Sequence, residues 1–183
     1  MQQGCNTVDF SEKFLRGERV YDGKLLKVHR DVIVMPDGHE EVREVIRHTG
    51  AAVIVPRLSD GRFILVRQYR YALGCEILEF PAGRLDPGEN PLESARRELQ
   101  EETGFQARRW EPLFQLHPAP GYSDERLWIY LAEDLQSGQS SPDADELLLT
   151  VRMSLDEALT RLLAGEITDA KTFAALLFLK VYR

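Results

Sequence analysis

Between Gly83 and Phe105 the chain reads GRLDPGENPLESARRELQEETGF, and five of these residues are glutamates. Asn90 is a favourable N-cap, Pro91 suits the first helical position, Glu93 has capping-box spacing and Gly104 supplies a left-handed stop, so a helix is predicted over about 91–103. On that helix Leu92, Ala95 and Leu99 share one face, which can dock on a sheet, while Glu98, Glu101 and Glu102 fan out beside it. Glu98 and Glu102 lie one turn apart with Glu101 on the adjoining row, and like charges so placed repel and weaken a helix. A shared hard divalent cation relieves the repulsion, because such cations take oxygen ligands and magnesium keeps room for water and phosphate oxygens. Arg97 stands four residues from both Glu93 and Glu101, placed to pair with either. A solvated acidic face with intrahelical ion pairs is the competing reading, and the better one for an isolated helix. The flanking residues shift the balance.

Those residues form a pattern: Gly83, five residues, Glu89, seven residues, Arg97-Glu98, bulky Leu99, one residue, Glu101-Glu102, one residue, Gly104 and bulky Phe105. It resembles the Nudix box, the signature of hydrolases that cleave nucleoside diphosphates linked to another moiety, at every position. Seven fixed identities and two hydrophobic positions at set spacing are far more specific than a lone glycine-rich loop. The resemblance implies an α/β fold, a Nudix α/β/α sandwich with a mixed sheet. It also implies a loop-helix-loop metal site for Mg2+, with Mn2+ as a substitute. Its ligands would be Glu98, Glu101, Glu102 and the backbone carbonyl of Ala82, with Glu89 and Arg97 orienting them.

Beyond the box, the loop His117-Pro118-Ala119-Pro120-Gly121-Tyr122-Ser123-Asp124-Glu125 is similar to that of the ADP-ribose pyrophosphatase branch, in which a proline follows the box at about this distance. That likeness implies hydrolysis of ADP-ribose to AMP and ribose 5-phosphate, with Glu125 as the first choice for general base and Glu101 as the second. Arg70 stands where the branch places a phosphate-contacting arginine. Arg43 is a second candidate, since a guanidinium fork suits phosphate oxygens, and a surface ion pair is the competing reading for each. Glu79 either contacts the base of the substrate or ends a strand. A pyrophosphatase for another nucleoside diphosphate sugar, such as UDP-glucose or GDP-mannose, shares the layout. A non-catalytic nucleotide-sugar sensor is disfavoured by the intact box.

These groups must be held by the rest of the chain. Segments 14–21, 24–35 and 40–48 read as strands around a turn at Pro36-Asp37-Gly38, with Leu26, Val28, Val32 and Val34 as candidate buried positions. This small antiparallel β element, residues 1–48, has too little apolar material to stand alone. It resembles the extra domain that this branch exchanges between the protomers of a homodimer and that helps enclose the substrate. Residues 49–183 would form the Nudix domain. There, 51–58 and 62–69 read as a hairpin turning at Ser59-Asp60-Gly61, with Pro56 marking an edge or bulge. Strands are expected at 76–80, 108–118, 125–135 and 147–153, with a polar loop over 136–146. Ser154 opens one helix with a capping box, and Thr168 or Asp169 opens the last.

The 183 residues suffice for one good core, and 43% hydrophobic with 29% charged residues is ordinary for a soluble globular protein. A formal charge of -7 argues against nucleic acid or an anionic membrane as a partner. No apolar run reaches transmembrane length and the first residues lack a signal-peptide pattern, so the expected location is the cytoplasm. Cys5 and Cys75 are too few for a disulfide framework.

Overall fold

A computed structural model describes residues 9–138 and 147–182. Cys5 and most of the polar loop that follows Gln136 lie outside the described residues. The chain divides into two compact units, one made of Met1–His48 with Ala119–Glu125, the other of Thr49–Pro118 with Arg126–Arg183.

In the first unit β1 (Lys13–Asp22), β2 (Lys27–Val34) and β3 (Glu40–Arg47) form an antiparallel meander in that order. The buried positions of β2 are Asp31 and Ile33, on the face opposite Val28, Val32 and Val34, which are half-buried; Leu26 precedes the strand and is exposed. The expected parity is therefore reversed. A carboxylate can take the inner face because Arg47 donates to Asp31 at 2.6 Å, removing the cost of an unpaired buried charge. The segment 119–125 lies along β3. Ile46 N–H donates to the Tyr122 carbonyl at 2.8 Å, and His48 N–H donates to Asp124 Oδ1 at 2.8 Å. Arg47 also reaches Asp124 at 3.4 Å.

The second unit is layered. Strands β4 (Ala51–Pro56), β7 (Ala82–Arg84), β8 (Phe105–Leu116) and β9 (Leu127–Ser137) make a mixed sheet of order β7-β4-β9-β8, in which β4 and β9 are parallel. An antiparallel sheet has the order β10-β5-β6, from β5 (Phe63–Arg70), β6 (Cys75–Glu79) and β10 (Leu148–Met153). Strand alternation sends Val53 and Val55 of β4 to one side, with Leu65, Phe80 and the buried residues of α2 (Leu155–Leu163) and α3 (Ala170–Tyr182). Ala52 and Ile54 go to the other side, against Ala95 and Leu99 of α1 (Pro91–Thr103). This is an α/β/α arrangement with the box helix as one outer layer.

Two local expectations, the 51–69 hairpin and the edge position of Pro56, are corrected here, and the choice of cap for the last helix is settled. The turn after β4 closes, with Gly61 N–H donating to the Leu58 carbonyl, but a single bridge joins Arg57 and Phe63 before the strands part into different sheets. The apolar run of β4 is buried on both faces and is completed by β7 and β9 rather than by β5. Pro56 is accordingly the last residue of an inner strand and not an edge marker. The final helix is capped by Asp169, whose Oδ2 accepts from Thr172 N–H at 2.9 Å, rather than by Thr168.

Candidate active site

Helix α1 begins and ends as its caps dictate. Asn90 accepts from Leu92 N–H, Pro91 sits at the first turn, and Gly104 adopts φ 73. Glu93 does not complete a capping box; its carboxylate turns to Arg96 at 2.8 Å, so Asn90 caps alone. Glu98 and Glu102 are buried, at 9% and 5% exposed, which removes the solvated-face reading for these two. They point toward the segment that enters β7. Ala82 N–H donates to Glu102 Oε2 at 3.2 Å. A Cβ placed on Gly83 would lie 1.7 Å from the Glu98 carboxyl carbon, so only glycine allows this approach.

Arg97 is the hub. Its Nη1 donates to Glu98 Oε1 at 2.6 Å and to Glu101 Oε2 at 3.0 Å, while Nε and Nη2 hold the two oxygens of Glu89 at 3.2 and 3.1 Å. Pairing with Glu89, and then with Glu98, raises the Arg97 pKa further above its ordinary value. Glu89 in turn is held below the usual glutamate value, chiefly by its hydrogen bonds from Arg97. Among the described residues no cluster of His, Cys, Asp or Glu is already closed around one point. The donor set is nonetheless suited to a hard cation: three carboxylates of one helix and the backbone of Ala82, with a glycine that leaves the Glu98 carboxylate its space.

A second group of charges stands at the end of β6. Glu79 is 1% exposed, and its Oε1 accepts from Arg70 at 2.8 Å while Oε2 accepts from Lys171. Asp169 holds Lys171 from the other side at 2.8 Å. Arg70 lies within electrostatic reach of Glu102. Lys171 reaches Glu79 across 92 positions and Asp169 acts through Lys171, so nothing near the box points to either; the local signal is the cap at the start of α3.

Glu125 and Arg43 belong to the first unit. Glu125 follows the clamped Asp124, its N–H donates to Ser123 Oγ at 3.1 Å, and its Oε1 stands 3.9 Å from His48 Nδ1. Arg43 is in a bidentate pair with Glu12, at 2.6 and 3.1 Å.

The segment 47–176, which holds the box, Arg70, Glu79 and Lys171, matches the family profile of the NUDIX domain. The chain belongs to the Nudix family. It is 34% identical over 174 residues to a protein of Bacillus methanolicus named methanol dehydrogenase activator, covering 94% of each chain. It is 33% identical over 172 residues, or 93% of each chain, to the ADP-ribose pyrophosphatase of Bacillus subtilis strain 168. A solved structure of an ADP compounds hydrolase superposes with a TM-score of 0.85 at 31% identity, over 95% of both chains. Nudix hydrolases are metal-dependent in general, and the carboxylate set on α1 is the part of this chain that agrees with that rule.

Proposed function

We propose that this Nudix protein hydrolyses the pyrophosphate of ADP-ribose to AMP and ribose 5-phosphate, using Mg2+ or Mn2+. The observation that carries the reading is the arrangement of Glu98 and Glu102, buried on one helix against Ala82 and Gly83 and braced through Arg97. The names of the Bacillus subtilis relative and of the solved structure support an ADP-containing substrate.

In this reading a water oxygen bonds to one phosphorus, the P–O–P bridge breaks, and the leaving phosphate keeps the bridging oxygen. When bound, the cation supplies charge neutralisation for the pyrophosphate and acidifies the attacking water. Glu98, Glu101, Glu102 and the Ala82 carbonyl would hold it. Glu125 receives the proton of the water as general base, with Glu101 the alternative. Arg97 and Glu89 orient the carboxylates from behind. Arg70 presents its guanidinium to phosphate oxygens with Glu79 buried beneath it, and Arg43 does so once released from Glu12.

The N-terminal strands serve, in this reading, to exchange between the protomers of a homodimer and to help enclose the substrate. Phe14, Tyr21 and Val42 are more than half exposed there, which suits a partner surface. Among the described residues no helix is long and apolar enough to cross a membrane, and we place the enzyme in the cytoplasm.

The deciding experiment offers ADP-ribose, UDP-glucose, GDP-mannose and NADH with Mg2+ or Mn2+ and reads products by chromatography. Preferred turnover of ADP-ribose to AMP is expected; preference for another nucleotide sugar would keep the metal site and replace the substrate. Glu102→Gln should lower kcat by on the order of a hundredfold or more, and near-normal turnover would remove Glu102 from the metal site. The name of the Bacillus methanolicus relative favours a second reading, in which the chain acts on a dehydrogenase. It predicts a faster dehydrogenase rate on adding the chain.

A further inference from the structure

A carboxylate withdrawn from water is costly unless its charge and both its oxygens are satisfied. Glu79 meets that condition by dividing its oxygens between two cations on different elements, Arg70 at the end of β5 and Lys171 in the first turn of α3. The two cations differ in exposure. The Lys171 side chain is 12% exposed and is closed off by Asp169, whereas that of Arg70 is 41% exposed. Both contacts of Arg70 with Glu79, through Nε and through Nη2, are 2.8 Å and lie on one edge of the guanidinium. The opposite edge is turned away from the protein carboxylate. Among the described residues no side chain hydrogen-bonds to it, which suits an anion.

The same turn of α3 fastens the backbone. Phe80 N–H donates to the buried Thr172 Oγ1 at 2.8 Å, immediately before the Pro81-Ala82-Gly83 segment that faces Glu98 and Glu102. Asp169, Lys171 and Thr172 therefore hold both the side chain that ends β6 and the main chain that leaves it.

We propose that Lys171 is a positioning residue: gripped by Asp169, it fixes the buried Glu79 so that the outer edge of Arg70 is presented to the pyrophosphate of the substrate. The inference rests on the hydrolase reading of this same site. Without Lys171, Glu79 keeps one partner, draws the guanidinium inward as its sole counter-charge, and the phosphate loses its aimed fork.

The test is steady-state kinetics with ADP-ribose and Mg2+ for the wild type, Lys171→Met, Lys171→Arg and Asp169→Asn. Loss of an aimed charge-assisted contact made equally to substrate and transition state raises KM with kcat nearly unchanged. Lys171→Met should raise KM by about tenfold or more with kcat within about twofold. Lys171→Arg should recover most of the loss, and Asp169→Asn, which keeps an N-cap oxygen for α3, should raise KM to a smaller degree. A merely structural role would lower Tm and leave KM where it was, and that result in Lys171→Met overturns the inference. If Lys171→Met does not fold, an unchanged KM in Asp169→Asn overturns it instead. A wild type that hydrolyses none of the nucleotide sugars overturns the hydrolase reading and this inference together, whereas wild-type turnover with unchanged variants overturns the inference alone.

Discussion

Arg97 and Glu98 are neighbours in sequence, and Arg97 Nη1 stands 2.6 Å from Glu98 Oε1. Consecutive helical side chains ordinarily diverge by about 100°. Here the guanidinium folds back along the helix because Glu89 grips its other edge at 3.1 and 3.2 Å and Glu101 stands 3.0 Å from the same nitrogen as Glu98. One planar fork thus sets the direction of three carboxylates. Lysine can supply the charge but not the fork. If Arg97 orients metal ligands as proposed, Arg97→Lys should lower kcat/KM by about ten- to a hundredfold, with the far-UV circular dichroism unchanged. Wild-type kinetics in that variant would show that Arg97 only neutralises charge.

Gly83 is fixed by space and not by backbone angle. Alanine there would drive a methyl group into the Glu98 carboxylate, so Gly83→Ala should displace that proposed ligand while the sheet pairing of Ala82–Arg84 with β4 persists. A titration with Mn2+ followed by electron paramagnetic resonance should show weaker binding by about tenfold or more. Unchanged affinity would mean that Glu98 does not hold the cation.

Glu125→Gln should reduce kcat by about a hundredfold or more, the size of a lost general base, and leave KM close to wild type. A rise in KM with kcat preserved would give Glu125 a binding role and move the base to Glu101.

The Arg97–Glu89 pair also gives a pH signature. Because the Glu89 pKa is lowered in the folded chain by Arg97, the pair adds stability that is complete above the ordinary glutamate value of 4.5. That stability is lost as the pH falls through the lower, folded value. Calorimetry should find a Tm gap between wild type and Glu89→Gln that is constant above this range and closes as the solution is acidified below it. A gap independent of pH would show that the pair contributes through packing alone.

The parts of the molecule legible in its sequence are those whose causes are local. Asn90, Pro91 and Gly104 set the ends of α1, and the spacing of Ala95 and Leu99 sets its docked face. Serine and glutamate at 154 and 157 form the reciprocal cap that their types suggest. What escaped reading depends on partners far along the chain. The apolar pattern of β2 puts Val28, Val32 and Val34 inside, whereas Asp31 and Ile33 are the buried pair because Arg47 on another strand satisfies Asp31. The partners of β4 are β7 and β9, and no turn residue near Ser59 announces that. Glu79 reads from its neighbours either as a contact to the substrate base or as a strand end; it ends β6, and its burial is met by Arg70 and by Lys171, which arrives with the last helix.

The placement of segment 119–125 along β3 bears on how the protein is made. Arg47 and Asp124 are separated by 77 positions, so the strands β1, β2 and β3 leave the ribosome long before the segment that completes their unit. Contacts at such separation form late, after the closing entropy of the intervening chain has been met. Vectorial synthesis thus exposes an unfinished sheet edge while the box helix, encoded between the two halves, is already emerging. The proposed general base enters its setting only when translation has passed Glu125. The proposed metal ligands on α1 are synthesised before the proposed base.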